Sequence, residues 1–293
     1  MIVVMDELTP AIDSLLHYRI LPAMRLRYLY VLLTTCLLAA GLSAQVTITS
    51  FTQTGSLPAN DDDHSNAIDL GFSINFGGNT FSQTYVSNNG YITFDSGSGD
   101  YSPSLLNADY TGLPIIAAFF SDVDTRSPNT GTVTWGTGLV DGLAAFAVKW
   151  DQVGEYSASD HPKSSNSFAI VLVSRTDIGT GNFDVYFNYG SMNWDHGASN
   201  EFGAVAGFHS GATGSPVYYQ VPGSGTVGAF VDGGPNSLFT SSNSNANGVL
   251  TFVFRNGGFE NIAEITTVPE PSTYALFGLG LAVVGYTMFR RRR

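Results

Sequence analysis

Apolar and polar residues alternate along much of this chain, in short runs separated by glycine and asparagine. Two runs show the alternation most clearly, with apolar residues at Phe72, Ile74 and Phe76 and at Phe183, Val185 and Phe187. Side chains two positions apart lie on one face of a strand, so each run predicts a strand with an apolar face. In the second run the opposite face is predicted to carry Asp184, Tyr186 and Asn188.

Three other runs are apolar at almost every position and span residues 115–120, 143–150 and 168–173. Both faces of such a strand must be covered, so we predict that these strands are central. Paired turn residues separate the runs, at Gly77 and Gly78, at Asn89 and Gly90, and at Asn256 and Gly257. No segment between them has a sustained helical period. Many short strands at close spacing predict a mainly β fold, a two-sheet β-sandwich.

Residues 237–267, at the end of the predicted β region, differ from it in composition. Residues 237–248 are rich in serine and asparagine and predict a surface loop. A final strand is predicted at residues 249–255. Residues 256–267 then read as a linker, which would keep the folded body, residues 45–255, clear of a membrane.

The amino-terminal region predicts a secretory signal peptide over residues 24–44. A short basic segment that begins at Met24 precedes an apolar stretch, residues 28–41, and small residues follow. Cleavage is expected between Ala44 and Gln45. Residues 1–23 place acidic residues ahead of the basic segment, so we expect translation to start at Met24; a long, atypical leader is the alternative.

The last 26 residues, 268–293, form a separate signal in three parts. Pro269, Glu270 and Pro271 keep the chain extended, because proline does not continue a helix or a sheet. Residues 274–289 are apolar and predict a single transmembrane helix. The closing basic cluster stops transfer on the cytoplasmic side, and it consists of Arg290, Arg291, Arg292 and Arg293.

This arrangement resembles the PEP-CTERM sorting signal of Gram-negative bacteria in all three parts. The resemblance implies an exosortase, a membrane enzyme that cuts near the motif, as a partner. It also implies transient anchoring in the inner membrane, followed by residence at the cell surface or in an exopolysaccharide matrix. A simple tail anchor is the alternative.

Charge and cysteine content exclude several classes of protein. The single cysteine, Cys36, lies in the predicted signal peptide, so the exported chain has no disulfide, thiolate metal site or thiol nucleophile. Residues 45–271 hold five basic and 21 acidic residues, a net charge of −16. Such a surface repels phosphate backbones, so nucleic acid is excluded as a partner.

A series of short segments, in order along the body, resembles the NIDO domain, the extracellular domain of nidogen. They lie at residues 76–81, 85–94, 114–126, 149–154, 168–173, 187–190, 194, 206–208 and 252–255. The resemblance spans residues 67–255. It implies a mainly β domain of extracellular proteins, associated with cell–matrix adhesion, and it does not imply catalysis.

Asp122, Asp124 and Arg126 follow a predicted buried strand at a spacing of two, so an extended chain would place them on one side. One interpretation is a brace, in which the arginine holds the carboxylates at a strand end. The other is half of a calcium site, which would make calcium the cofactor. Residues 61–63 are three consecutive aspartates without the spacing of a calcium loop, and predict a solvated loop.

The sequence contains no His-Glu-x-x-His motif, no Gly-x-Ser-x-Gly motif and no phosphate-binding glycine loop, so we expect a non-catalytic protein. Trp194, Asp195 and His196 are candidate ligand-binding residues, because an aromatic face beside a carboxylate suits a sugar; core packing of the tryptophan and a turn are the alternative. Two functions follow. One is a surface or matrix protein that contacts polysaccharide or other surface proteins, and the other is a secreted carbohydrate-binding or carbohydrate-active module.

Overall fold

The computed structural model describes residues 49–157, 164–198, 201–211, 215–244, 246–260 and 263–267. These residues form strands and no helix, so none of them belongs to a helix able to cross a membrane. The predicted signal peptide, its cleavage point at Ala44 and Gln45, the sorting motif, the transmembrane helix and the arginine cluster lie outside the described residues.

The strands, in chain order, are β1 (Thr49–Ser56), β2 (Ile68–Phe76), β3 (Asn79–Val86), β4 (Tyr91–Thr93), β5 (Ile115–Phe120), β6 (Val123–Asp124), β7 (Val133–Val140), β8 (Leu143–Glu155), β9 (Ser165–Ser174), β10 (Phe183–Tyr189), β11 (Val205–His209), β12 (Tyr218–Gln220), β13 (Ser241–Ser242), β14 (Val249–Arg255), β15 (Gly258–Phe259) and β16 (Thr266–Thr267).

Two sheets pack face to face, which confirms the predicted two-sheet, mainly β architecture. The larger sheet runs in the order β1, β7, β8, β9, β10, β14, β13 and β16, with β15 paired to β14 and β6 paired to β8. The smaller sheet runs in the order β12, β11, β5, β4, β3 and β2. The pairings are antiparallel except for β13 with β14.

Phenylalanine side chains from both sheets interleave to form the core. Phe183 of β10 and Phe254 of β14 stack with ring centroids 4.4 Å apart. Phe76 of β2 meets both rings edge-on, at centroid distances of 6.4 and 5.5 Å. Such pairs contribute about 0.5–1.5 kcal/mol each beyond simple burial. The alternation in the sequence therefore supplies the contacts that hold the sheets together.

Two buried hydrogen bonds also link the sheets. The Tyr189 hydroxyl donates to the carbonyl oxygen of Ala118 at 2.9 Å, and burial raises the pKa of Tyr189 well above its ordinary value. The indole N–H of Trp150 donates to the carbonyl oxygens of Ser87 and Asn88, at 3.2 and 2.9 Å. Each buried donor thus has a partner, which avoids a desolvation cost of about 1–3 kcal/mol.

The runs predicted as central strands are central. β5 lies between β4 and β11, and β8 and β9 lie inside the larger sheet. Five of the six predicted turn residues adopt left-handed backbone angles, with φ of 64° and 88° at Gly77 and Gly78, 84° at Gly90, and 53° and 79° at Asn256 and Gly257, whereas Asn89 does not.

On the polar face of β10, Asp184 and Asn188 are buried and Tyr186 is partly buried, and the charge of Asp184 is neutralised. Asp184 is 4% exposed. Its carboxylate oxygens lie 2.8 Å from Nη1 of Arg175 and 2.7 Å from Nη1 of Arg255. Two guanidinium groups on one carboxylate replace the water lost on burial.

The segment predicted to be a surface loop differs from that expectation. Ser237, Ser241 and Ser242 are buried, and the last two form β13. The hydroxyls of Ser241 and Ser242 donate to the carbonyl oxygens of Ser237 at 2.9 Å and Ser244 at 2.7 Å, whereas Ser237 Oγ has no hydrogen-bond partner among the described residues. Ser241 and Ser242 can therefore enter the interior, because the donor of each is satisfied locally.

The predicted linker is likewise not a free spacer throughout. β15 pairs with β14, and β16 pairs with β13. Phe259 of β15 packs against Phe208 and Phe254, with ring centroids 4.9 and 5.8 Å apart. Part of residues 256–267 thus belongs to the domain, since an aromatic side chain anchors it.

Candidate functional site

Two buried asparagines in the turn after β3 connect segments that are distant in sequence. The Asn88 amide donates to the carbonyl oxygens of Asp61 and Val123, both at 2.5 Å. The Asn89 amide donates to Oδ1 of Asp62 at 3.0 Å, and its oxygen accepts the N–H of Val123 at 2.9 Å. The loop after β1 is therefore fixed against the segment that follows β5.

This connection creates an acidic cluster of three residues, Asp61, Asp62 and Asp122, whose carboxylate oxygens lie within 4.8 Å of one another. Asp122 is 2% exposed, and Oδ1 of Asp61 is buried without a hydrogen-bond partner among the described residues. Calcium–oxygen bonds of about 2.3–2.6 Å put ligands on opposite sides of the ion about 5 Å apart. The cluster thus has the donor type and spacing to hold a hard cation.

Arg126 lies at the edge of the acidic cluster and pairs with Asp124. Its Nε donates to Oδ1 at 3.0 Å and its Nη2 to Oδ2 at 2.8 Å. The backbone N–H of Arg126 also donates to Asp124 Oδ1, at 2.9 Å. The same Nη2 lies 2.8 Å from Oδ2 of Asp61. The two interpretations of the sequence therefore fall on different residues, the brace on Asp124 and the cation ligand on Asp122.

Asp122 and Asp124 both lie close to Asp61, Asp122 as a member of the acidic cluster and Asp124 through its shared partner Arg126. β6 is only two residues long, and the Asp124 side chain accepts the backbone N–H of Arg126 just after it. The aspartates of residues 61–63 differ from the predicted solvated loop. Asp61 and Asp62 join the acidic cluster, and Asp63 stays exposed.

The surroundings of Asp61 favour its protonated form. Burial, followed by the negative charges of Asp62 and Asp124, raises the pKa of Asp61 from 3.8 to about 7. Arg126 lowers the pKa, and Asp122 raises it further. The acidic cluster thus contains a carboxyl group whose pKa is close to neutral pH, because burial and the negative charges around it outweigh the effect of Arg126.

A small cavity of about 240 Å³ opens at the acidic cluster, between the side chains of Tyr101 and Tyr156. Tyr101 is exposed, and the guanidinium carbon of Arg126 lies 6.0 Å from the centroid of the Tyr156 ring. The cavity therefore combines aromatic rings with carboxylates. The sequence analysis expected this combination at Trp194 and Asp195 instead.

Trp194 is a core residue and offers no face to a ligand. It is 5% exposed, its ring meets Phe119 edge-on at 5.1 Å, and its indole N–H donates to the carbonyl oxygen of Val153 at 3.2 Å. Asp195 is also buried, with Oδ2 accepting the N–H of Phe230 at 3.2 Å. His196 lies 3.2 Å from Asp195 Oδ1 and is partly exposed. The interpretation as core packing and a bend therefore holds for these residues.

A larger cavity, of about 670 Å³, lies elsewhere and was not predicted. We call it the loop groove. Its floor contains Tyr91, Ile115 and Phe120, and its walls carry Asp100 and Tyr110. The wall residues belong to the 21 residues between β4 and β5, 94–114, which contain no strand or helix.

Two sequence signals could have pointed to these cavities. The first is the interval of 21 residues between two neighbouring strands, since irregular loops of this length in compact domains are usually functional. The second is the pair Asn88 and Asn89, which are 0% exposed and act as connectors as well as turn residues. Their partners across the chain are not visible in the sequence.

Comparison with family models gives two matches. The nidogen-like domain model matches residues 82–256, and the PEP-CTERM protein-sorting motif matches residues 267–293. The first match includes the loop groove, Asp122 and Arg126, whereas Asp61 and Asp62 precede it. Searches of curated proteins and of solved structures found no match.

Proposed function

Since the chain belongs to the nidogen-like domain family and carries a PEP-CTERM protein-sorting motif, we propose that it acts in adhesion or in exopolysaccharide association outside the cell. The sorting motif is the recognition signal of exosortase, so the chain is an exported and surface-directed protein. The proposed role is that of a non-catalytic surface or matrix component.

The adjacency of the two matches is the observation that carries the proposal. The nidogen-like domain ends at residue 256 and the sorting motif begins at residue 267. β16 (Thr266–Thr267) still pairs with β13, so the sorting signal starts where the folded domain ends. Exosortase recognition of the motif would therefore release or display the whole domain as one unit.

The charge of the domain supports a role in a hydrated matrix. A net charge of −16 over residues 45–271 favours solubility and discourages tight packing of copies against one another. Many anchored copies raise the effective concentration of a weak site, so adhesion needs no tight single contact.

The contacts of the histidines support a non-catalytic role. His64 Nδ1 lies 2.8 Å from the carbonyl oxygen of Ser65, and His209 Nδ1 accepts the N–H of Gly211 at 3.0 Å. His196 pairs with the buried Asp195. These described histidines are thus bonded to backbone groups or to a structural carboxylate, and none of these bonds activates a hydroxyl nucleophile.

The test is deletion of the gene, with complementation by the full chain and by a chain that ends at residue 267. We expect the deletion to reduce cell aggregation or matrix retention, and the full chain alone to restore it. An unchanged deletion strain would contradict the adhesion role. Turnover of a polysaccharide by the exported protein, lost on changing one carboxylate, would instead favour the carbohydrate-active alternative.

A further inference from the structure

The loop groove is formed by an ordered loop that covers the outer face of the smaller sheet. Ile115, Ala117 and Phe120 face this outer side, because an irregularity in the pairing of β5 with β11 interrupts the alternation, and Ile115 and Phe120 pack there with Tyr91 and the buried Leu106. Leu106 anchors the loop, and its N–H donates to Oε1 of Gln220 on β12 at 3.0 Å. The loop therefore has a fixed position relative to the sheet.

Hydrogen bonds fix the two ends of the loop as well. The Tyr91 hydroxyl donates to the carbonyl oxygen of Asp100 at 2.9 Å. The N–H of Phe94 donates to the carbonyl oxygen of Pro114 at 3.0 Å. The Tyr110 hydroxyl donates to the carbonyl oxygen of Leu113 at 3.1 Å. A preformed cavity loses little conformational entropy on binding, which is the usual property of a ligand site.

The groove presents both aromatic rings and polar side chains. Tyr110 lies between the cavity and His209, whose ring centroid is 4.8 Å from that of Tyr110. Asn107, Thr111 and Ser104 line the same cavity and can both donate and accept hydrogen bonds. A ligand that matches this lining has apolar C–H faces and several hydroxyl groups.

The charge of the lining narrows the class of ligand. Asp100 and Asp109 are exposed carboxylates on the wall, and the described lining contains neither lysine nor arginine. Carboxylates accept hydrogen bonds from hydroxyl groups and repel phosphate, sulfate and uronate groups. The volume of about 670 Å³ lies within the range of small-molecule sites, roughly 300–1,000 Å³.

From this geometry we propose that the loop groove binds an uncharged saccharide, with Tyr110 contacting the sugar ring and Asp100 and Asp109 accepting hydrogen bonds from its hydroxyls. The inference rests on the proposed function, because a matrix protein meets polysaccharide in its own environment. It assigns the contact to one face of the domain, and it makes the protein a carbohydrate-binding component.

The experiment uses the exported protein recovered from its own cells and a panel of neutral and uronic acid oligosaccharides. Binding is measured by saturation-transfer NMR and titration calorimetry at low and high salt. We expect neutral oligosaccharides to bind with little dependence on salt and the uronic acid oligosaccharides not to bind. Asp109→Ala should weaken binding about tenfold, since one charge-assisted hydrogen bond is lost.

Matched variants separate binding from folding. Asp100→Ala changes a second exposed lining residue, and Glu260→Ala changes an exposed acid after β15, outside the groove. Glu260→Ala should bind like the unchanged protein, and all three variants should melt at similar temperatures. Equal binding by all three variants would overturn the assignment of the groove.

Other outcomes are equally decisive. Absence of binding to every neutral oligosaccharide at millimolar concentration overturns the inference, and so does capture of basic peptides with a steep loss at high salt. If the deletion strain still loses matrix retention in that case, the proposed function stands and only the groove assignment fails. If the protein binds saccharide but deletion of its gene changes neither aggregation nor matrix retention, the groove assignment stands and the proposed function fails.

Discussion

Arg126 donates two side-chain hydrogen bonds, of 3.0 and 2.8 Å, to the buried carboxylate of Asp124, which lies two residues earlier in the chain. The Asp124 side chain is 6% exposed, whereas that of Arg126 is 49% exposed. The arginine reaches in from the surface and also contacts Asp61. It therefore neutralises a group of carboxylates that would otherwise repel one another.

We predict that Arg126→Ala lowers the free energy of unfolding by about 1–2 kcal/mol, because Asp124 loses its partner while solvent still reaches the site. Chemical denaturation of the exported protein measures the change. Arg126→Lys keeps the charge and loses the fork geometry, so its loss should be smaller. An unchanged midpoint in Arg126→Ala would contradict the brace.

Addition of calcium tests the alternative interpretation, in which the acidic cluster is a metal site. Because Arg126 already supplies a positive charge there, we expect calcium or a chelator to change the melting temperature little. A saturable calcium stabilisation that disappears in Asp122→Asn would instead establish a metal site. Asp63→Asn, at an exposed neighbour, is the control.

Stability should depend on pH through Asp61. Its pKa is about 7 in the folded state and near its ordinary value of 3.8 in the unfolded chain. The folded state therefore holds the proton more tightly, and its contribution to stability is complete below about pH 4 and is lost as the pH rises through about 7. Asp61→Asn should remove this part of the pH dependence.

The measurement is the melting temperature between pH 5 and pH 8 for wild type, Asp61→Asn and Asp63→Asn. Between pH 5 and pH 8, the melting temperature of Asp61→Asn should fall less, or rise more, than that of wild type. Asp63→Asn should show the same pH dependence as wild type. Parallel curves for all three proteins would show that Asp61 titrates normally.

Gly90 is predicted to tolerate no side chain. It has φ of 84°, and a Cβ atom there would clash with the carbonyl oxygen of Phe119. Gly142 has φ of 82° with nothing within 4 Å of the same position, so it provides a matched control. Gly142→Ala should cost about 1–2 kcal/mol from backbone strain alone.

Gly90→Ala adds a steric clash to the same strain and should cost more than about 3 kcal/mol, or prevent folding. Thermal unfolding of both variants distinguishes the two effects. Similar losses in the two variants would show that the backbone around Phe119 moves freely, contrary to its burial in the core.

The terminal signals predict the mass of the mature product. We expect the exported protein to lack residues 24–44 and most of residues 274–293, since signal peptidase and exosortase act on the two ends. Intact-mass measurement on material from the cell surface tests this. Retention of Arg290 to Arg293 in that material would point to a simple tail anchor.

The sequence by itself determined the features that depend on neighbouring residues. Alternation at period two placed Phe72, Ile74 and Phe76 on a strand, continuous apolar runs marked β5, β8 and β9, and glycine with asparagine marked the turns. These patterns reflect backbone geometry and local burial, so they can be recognised without knowing the partner strand. The sorting motif is local as well, and its family match agrees with the reading.

Only the tertiary structure decided which distant side chains meet. Asp61 and Asp62 reach Asp122 because the amides of Asn88 and Asn89 bond both segments, and nothing in the spacing of these residues encodes that contact. The loop groove depends likewise on Leu106 packing onto the outer face of the smaller sheet. Hydrogen bonds and packing between residues far apart in the chain set the sites, whereas alternation along the chain set the strands.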